Sequence, residues 1–180
     1  GEGKVIFSYE ESYGYMLGDY VRDKDAVTAS MMLTEMAAWY AAQGTTLFDA
    51  LEKLYEKYGY YAEKTHNLVM PGLDGLKDMA ELMKNLRENP PADIGGVKVV
   101  TRKDYSNGSV VDCATGEAST MELSGSNVLR FELADGTSVI VRPSGTEPKI
   151  KVYILTRGAD AAACAANLEK YGQWVAGLKK

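Results

Sequence analysis

Soft metal ligands are scarce in this chain: two cysteines, Cys113 and Cys164, and one histidine, His66, lie far apart in 180 residues. Neither a disulfide scaffold nor a zinc site is supported by such spacing. No apolar run approaches the roughly 18 residues that a membrane-spanning helix needs. Nor does Gly1-Glu2-Gly3-Lys4 begin a secretory signal, which couples a basic segment to an apolar one. The expectation is a cytoplasmic protein with no membrane partner. Positive charge is also in deficit, with 20 Lys and Arg against 25 Asp and Glu and a formal net charge of -5. A nucleic-acid partner is therefore not expected. What is present, 46% apolar and 25% charged residues with 18 Gly and 5 Pro, describes a globular chain of one or two domains and excludes disordered or collagen-like order.

The chain reaches a short apolar run, Val5-Ile6-Phe7, almost at once, which reads as a piece cut from a longer protein. That run predicts a buried strand ending at the polar segment Ser8 to Ser12. Two helices follow. Asp25 to Gln43 places Val27, Met31, Leu33, Met36, Ala37 and Tyr40 on a broad apolar face and stops at Gly44, while a second helix begins after the caps Thr45 and Thr46 and ends at Gly59. The pattern predicts that these two helices pack closely. A composition break at Gly59 suggests a boundary, dividing the chain into residues 1–58 and 59–180.

Tyr60 to Met70 lacks a helical period and is rich in strand formers, whereas Leu73 to Arg87 is periodic and ends at Asn89-Pro90-Pro91. Val97 to Val100 and Ser109 to Val111 are short strand candidates, with Gly116 to Ser126 read as loop. Asp135-Gly136 between Val128–Leu133 and Ser138–Arg142 is a strong hairpin signal, and Lys149 to Leu155 alternates as a third antiparallel strand. A final helix capped by Asp160 covers that sheet. The fold class expected is α+β: an antiparallel sheet of about four strands with flanking helices, preceded by a strand and two helices.

Two loops could carry chemistry. Arg142-Pro143-Ser144-Gly145-Thr146-Glu147-Pro148-Lys149 combines a guanidinium, two hydroxyls, a glycine and an ammonium. Arg142 offers a planar fork to phosphate oxygens, Ser144 and Thr146 donate from side chain and backbone, and Gly145 removes a Cβ from the approach. Composition alone leaves a second reading open, a tight turn whose charged ends are simply solvated. In the other loop, Tyr9-Glu10-Glu11-Ser12-Tyr13-Gly14, carboxylates at a strand end suit bidentate acceptance from vicinal sugar hydroxyls, or they are exposed loop charges. Lys24 between Asp23 and Asp25 reads as a solvated residue ahead of a helix, and His66 as an exposed or satisfied strand residue.

Together Glu10-Glu11-Ser12-Tyr13-Gly14, Arg22-Asp23-Lys24-Asp25-Ala26 and Arg142 to Lys149, in that order, closely resemble the α-D-phosphohexomutases, in particular phosphoglucomutase/phosphomannomutase. The resemblance runs through essentially the whole chain and implies the end of the family's third domain followed by its fourth, TATA-box-binding-protein-like domain. It further implies interconversion of hexose 1-phosphate and hexose 6-phosphate through a phosphoserine and a hexose 1,6-bisphosphate intermediate. By the same resemblance Glu10, Ser12 and Lys24 would bind substrate, and Arg142, Ser144, Gly145, Thr146 and Lys149 would grip the phosphate that is not transferred. The partners implied are a hexose phosphate and the remaining N-terminal domains of the enzyme.

The family's phosphoserine loop, T-A-S-H-N-P, and magnesium loop, D-G-D-G-D-R, do not occur in these residues. Thr28-Ala29-Ser30 copies three letters of the first but continues as Met31-Met32 within a helical pattern. The resemblance thus implies Mg2+ held by ligands outside this chain, and no catalytic or metal-ligating residue within it. Tyr9 stands where many relatives carry glycine, and Tyr13-Gly14 departs from the Gly-His pair of phosphoglucosamine mutases. A stand-alone, non-catalytic phosphosugar-binding module is the alternative reading. A nucleic-acid-binding sheet is a poor third, because aromatics are not interleaved with basic residues.

Overall fold

The computed structural model describes residues 3–10 and 13–178. The chain divides into two units, residues 1–57 and 58–180. In the first, strands β1 (Phe7–Tyr9) and β2 (Tyr15–Leu17) form an antiparallel hairpin pairing Phe7 with Leu17. Two helices follow, α1 (Ala26–Ala42) and α2 (Leu47–Tyr58). Asp25 caps α1 by accepting from the Val27 amide. The helix ends in a Schellman motif, with Gly44 at φ +70 and bonds from Gly44 N to Ala41 O and from Thr45 N to Tyr40 O. A capping box opens α2: the Thr46 hydroxyl accepts from Asp49 N at 3.1 Å while the Asp49 carboxylate accepts from Thr46 N at 2.9 Å.

The expected buried strand at Val5 to Phe7 is not what forms. Pairing begins only at Phe7, and Val5, Ile6 and Phe7 are all exposed, because nothing in this unit covers them. Nor do α1 and α2 pack closely; α1 packs on β2 instead. Along α1, Val27 is 80% and Trp39 60% exposed, and Thr28 is the one buried residue. A helix apolar around much of its circumference requires cover on more than one side, and two short strands supply only part of it.

The second unit is built on one antiparallel sheet. Its strands are β3 (Tyr60–Val69), β4 (Asp93–Ile94), β5 (Val97–Asp104), β6 (Ser109–Asp112), β7 (Ala118–Thr120), β8 (Leu129–Leu133), β9 (Ser138–Pro143) and β10 (Lys149–Gly158). Their order is β3-β10-β9-β8-β5-β6-β7, with β4 paired to β5. The sheet is larger than the four or so strands the pattern predicts, and β7 forms within the segment expected to be loop. An exposed Ala-Ser-Thr edge strand lacks the apolar alternation that would announce it. Helices α3 (Gly75–Glu88) and α4 (Ala161–Gly177) supply one face of cover, so the architecture is α+β.

Register sorts the side chains. Ile150, Val152 and Ile154 of β10 stand opposite Pro143, Val141 and Val139 of β9, and Leu129 and Phe131 of β8 continue these rows. With Met79, Met83 and Leu86 of α3 and Tyr171 and Val175 of α4 they form the core. The intervening positions face away from the helices.

Asp135 ties turn to helix. Gly136 takes φ +83, Thr137 N donates to Asp135 Oδ1 at 2.9 Å, and the buried Tyr171 phenol donates to the other carboxylate oxygen. Burial opposes ionisation of Asp135, but the Tyr171 and Thr137 bonds prevail and hold its carboxyl below the usual range. Burial first, and Asp135 second, push the Tyr171 phenol well above its ordinary value.

His66 was expected to be exposed or satisfied and is neither. It lies opposite Val152, on the helix-facing side of β3, and its Nε2 is buried without a partner among the described residues. A Cβ on Gly172 of α4 would come within 3.0 Å of the ring, so a glycine is what lets the helix ride over it. Burial, then Lys64, lower the His66 pKa, while Glu169 opposes them.

Tyr171→Phe is expected to lower stability by about 1.5–3 kcal/mol at neutral pH, the usual range for a hydrogen bond to a charged group, with an unchanged denaturant m-value. Because Asp135 has a depressed folded pKa, its contribution is complete above the ordinary carboxylate range and lost as pH falls through the folded value. The gap between the two proteins should therefore narrow in acid, and equal urea midpoints at neutral pH would remove the bond from the account. His66 acts in the same direction for a different reason: burial holds its folded pKa below the ordinary 6.5, so stability falls as pH drops through that value. His66→Leu should lack this step in urea midpoints measured between neutral and mildly acidic pH.

Candidate phosphosugar-binding loops

Two clusters emerge, one in each unit. In the first, the turn after β1 closes with Glu10 N donating to Gly14 O at 2.8 Å. Tyr13 adopts φ +65, the left-handed region, which lets the chain reverse sharply before β2. A Cβ at Gly14 would collide with the side-chain carbons of Lys24 and approach Glu10 Oε2 at 3.1 Å. Glycine there lets Lys24 cross the turn, and its Nζ reaches Glu10 Oε1 at 3.4 Å and Asp23 Oδ1 at 3.3 Å. Lys24 is thus no solitary solvated residue. Asp23 raises its pKa most and Glu10 adds to this, while the Lys24 amide and ammonium lower the Asp23 pKa.

These residues line a concavity of about 190 Å³, together with Ser8, Tyr9 and Met16. Carboxylate oxygens beside an ammonium can accept from sugar hydroxyls while the cation faces an anionic group. Ser12 and Glu11 lie outside the described residues. Ser30 donates to the Ala26 carbonyl at 2.8 Å within α1, a helical role rather than a nucleophile's.

In the second cluster the loop from Arg142 to Lys149 joins β9 to β10. Ser144 N donates to Lys149 O at 2.8 Å and Lys149 N to Glu147 O at 2.7 Å, drawing the loop ends together. Pro148 O accepts from Met70 N at 2.8 Å, tying the loop to the end of β3. Within this frame the Gly145 amide has no partner among the described residues, and the Thr146 amide only a long 3.4 Å approach to Ser144 Oγ. Nothing lies within 4 Å of a Cβ built on Gly145, so the loop crest is open. Unsatisfied amides at such a crest are a ready anion cradle. The Arg142 side chain is exposed and makes no hydrogen bond or ion pair among the described residues, whereas Lys149 pairs with Glu147.

Strand register adds a residue that motif reading misses. Lys151 stands directly opposite Arg142, on the sheet face turned away from the helices. Like charges directly opposite are destabilising, so two cations side by side at the foot of an amide-rich loop form a concentrated positive site. The alternation of Lys149, Ile150 and Lys151 could have flagged it, but its facing partner follows from pairing alone. Among the described residues no group of three or more His, Cys, Asp or Glu could hold a metal ion, so the described residues do not fit Mg2+. No described helix is long and apolar enough to cross a membrane.

Residues 67–168 match the family model described as "Phosphoglucomutase/phosphomannomutase, C-terminal domain". The chain belongs to the phosphoglucomutase/phosphomannomutase family. Residues 1–58 match the companion model, "Phosphoglucomutase/phosphomannomutase, alpha/beta/alpha domain III". Among curated relatives, a "Phosphoglucomutase" of Staphylococcus aureus strain N315 is 38% identical over 156 residues, covering 87% of this chain and 28% of that protein. Its counterpart from the bovine strain RF122 / ET3-1 is 39% identical over 150 residues, 83% of this chain and 27% of the relative. The chain therefore spans little more than a quarter of these relatives. The open form of Paramecium pp63/parafusin, a phosphoglucomutase, superposes with a TM-score of 0.52 at 20% identity, covering 94% of this chain and 31% of that one, and supports the fold.

Since the Arg142 side chain is exposed and makes no hydrogen bond or ion pair among the described residues, Arg142→Gln should leave urea stability within about 0.5 kcal/mol of the parent. Amide shifts of Gly145 and Thr146 on adding inorganic phosphate should disappear in that variant. A large stability loss would make Arg142 a structural residue instead.

Proposed function

We propose that this chain forms the C-terminal part of a phosphohexomutase, an intramolecular phosphotransferase that interconverts hexose 1-phosphate and hexose 6-phosphate. The observation that carries the reading is the loop between β9 and β10, where open amides, two hydroxyls and the Arg142–Lys151 pair converge within a family-matched domain. In this reading Arg142, Ser144, Gly145, Thr146 and Lys149, joined by Lys151, hold the phosphate that does not react. Arg142 supplies the planar fork and Lys151 a compact second charge. Binding energy gained at that remote phosphate positions the other end of the sugar for reaction.

Glu10 and Lys24, with Ser12, take the sugar hydroxyls and the approach of the transferring group. Carboxylate acceptance from hydroxyls suits an intermediate that must be bound in two orientations, because a vicinal pair can be gripped from either end. The phosphoserine and the metal that accompanies it belong to other parts of the enzyme, and no step is assigned to a metal here. The chain by itself is accordingly inactive. The exposed apolar girth of α1 supports this division, since further parts of an α/β/α domain would cover it.

Titration of the isotope-labelled chain with glucose 1-phosphate is expected to shift the amides of Ser144 to Thr146, with a Kd on the order of 1 mM, near -4 kcal/mol. In the intact enzyme Arg142→Ala should reduce kcat/KM by about 1.5–3 kcal/mol of transition-state stabilisation. Unchanged kinetics, or mutase turnover by the chain alone, would contradict the assignment.

A further inference from the structure

The helix-facing side of the sheet is covered by α4 over β3 and β10 and by α3 over β10, but its other end carries a charged residue in an apolar setting. Arg102 of β5 stands between Phe131 of β8 and Val111 of β6, its cross-strand partners. Phe131 is only 2% exposed and belongs to the core, so Arg102 points to the core side, opposite the face that bears Arg142 and Lys151.

Two concavities of about 270 and 520 Å³ meet at this side chain, and Pro90, Arg102 and Val111 line both. Leu129 and Phe131 floor the first, and Val99 lines the second. Together they reach the size of small-molecule sites, which combine apolar walls with a few placed polar groups.

The neighbouring carboxylates already accept other hydrogen bonds. Asp104 accepts from Arg87 Nε at 2.8 Å and from Ser106 N at 2.9 Å. Asp112 accepts from the Ala114 and Thr115 amides at 2.8 and 2.9 Å, and Asp93 from the Gly96 amide at 3.3 Å. Lys103, the remaining cation beside the first cavity, pairs with Glu132 at 2.8 Å, and Lys98 at the second is exposed. Arg102 itself is half-buried, and its side chain has no hydrogen bond or ion pair among the described residues. A guanidinium partly withdrawn from water without a hydrogen-bonded partner is costly, and an anion that binds it directly removes that cost.

We propose that Arg102 and the groove around it bind a small organic carboxylate with a flat apolar body, at a site separate from the phosphate loop. The planar fork of Arg102 matches a carboxylate in two parallel hydrogen bonds. The body of the ligand lies on Val111 and Phe131 against Pro90.

Benzoate is the probe, added to the isotope-labelled chain at constant ionic strength with chloride as the control. Saturable shifts are expected at the amides of Arg102, Val111 and Phe131, with an affinity on the order of 1 mM. Cys113, exposed and lining the larger cavity, should react more slowly with a thiol reagent once benzoate is bound, while buried Cys164 gives no background. Arg102→Met should weaken binding by at least about tenfold, as loss of a charge-assisted bidentate contact requires. Arg102→Lys keeps the charge and loses the fork, so it should weaken binding by about fivefold, and it carries the test if the Met variant does not fold. Unaltered affinity in either folded variant, shifts confined to residues 142–149, or no saturable shift in tens of millimolar benzoate would overturn the proposal.

Discussion

Pairing register between β9 and β10 is the constraint on which the larger unit depends. Side chains alternate across a strand, so a slip of one residue would carry Val139 and Val141 out of the core and bring Arg142 into it. The Asp135-Gly136 turn sets how β8 enters β9, and Tyr171 binds that turn to α4. One carboxylate thus connects a local turn to the helix that covers the sheet. The alternation that buries Ile150 and Val152 also puts Lys151 beside Arg142 on the far face. Core formation and the concentration of positive charge are consequences of the same pairing.

The two units manage their apolar surface differently. In the larger one, residues such as Val139, Ile150 and Tyr171 are fully buried. In the smaller one, α1 rests on a three-residue strand and leaves Trp39 and Val27 exposed. The family match to an alpha/beta/alpha domain gives that exposure a reason, because helices of such domains are covered by a sheet wider than a single hairpin. Polar features of the same unit are nevertheless locally complete: Gly14, Lys24 and Glu10 build their cluster from turn geometry and one close approach.

Much of the secondary structure was legible. Gly44, Thr46, Asp49 and Asp160 mark helix ends through local chemistry, and they act there as caps. The hairpin at Asp135-Gly136 and the alternation of Lys149 to Leu155 were equally plain. Illegible elements were those without a local pattern. The β1–β2 hairpin turns on a tyrosine at positive φ, a conformation that few non-glycine residues adopt. Strand β7 is short, polar and exposed, held by backbone bonds to β6 rather than by burial. His66 resembles an ordinary strand residue until α4 is placed over it, with Gly172 at the contact.

By itself the sequence determined the caps, the turn residues, the alternation of the main strands and the two motif loops, because each depends on neighbours within a few residues. It also determined the phosphohexomutase resemblance, since those loops are read as contiguous letters. Tertiary structure alone decided which charges meet. Arg142 faces Lys151 and Arg102 lies between Phe131 and Val111 because antiparallel strands return along one another, and that return juxtaposes residues whose spacing along the chain carries no signal. It also decided what remains uncovered, from the girth of α1 to the groove at Arg102, since exposure is a property of what packs nearby rather than of the side chain itself.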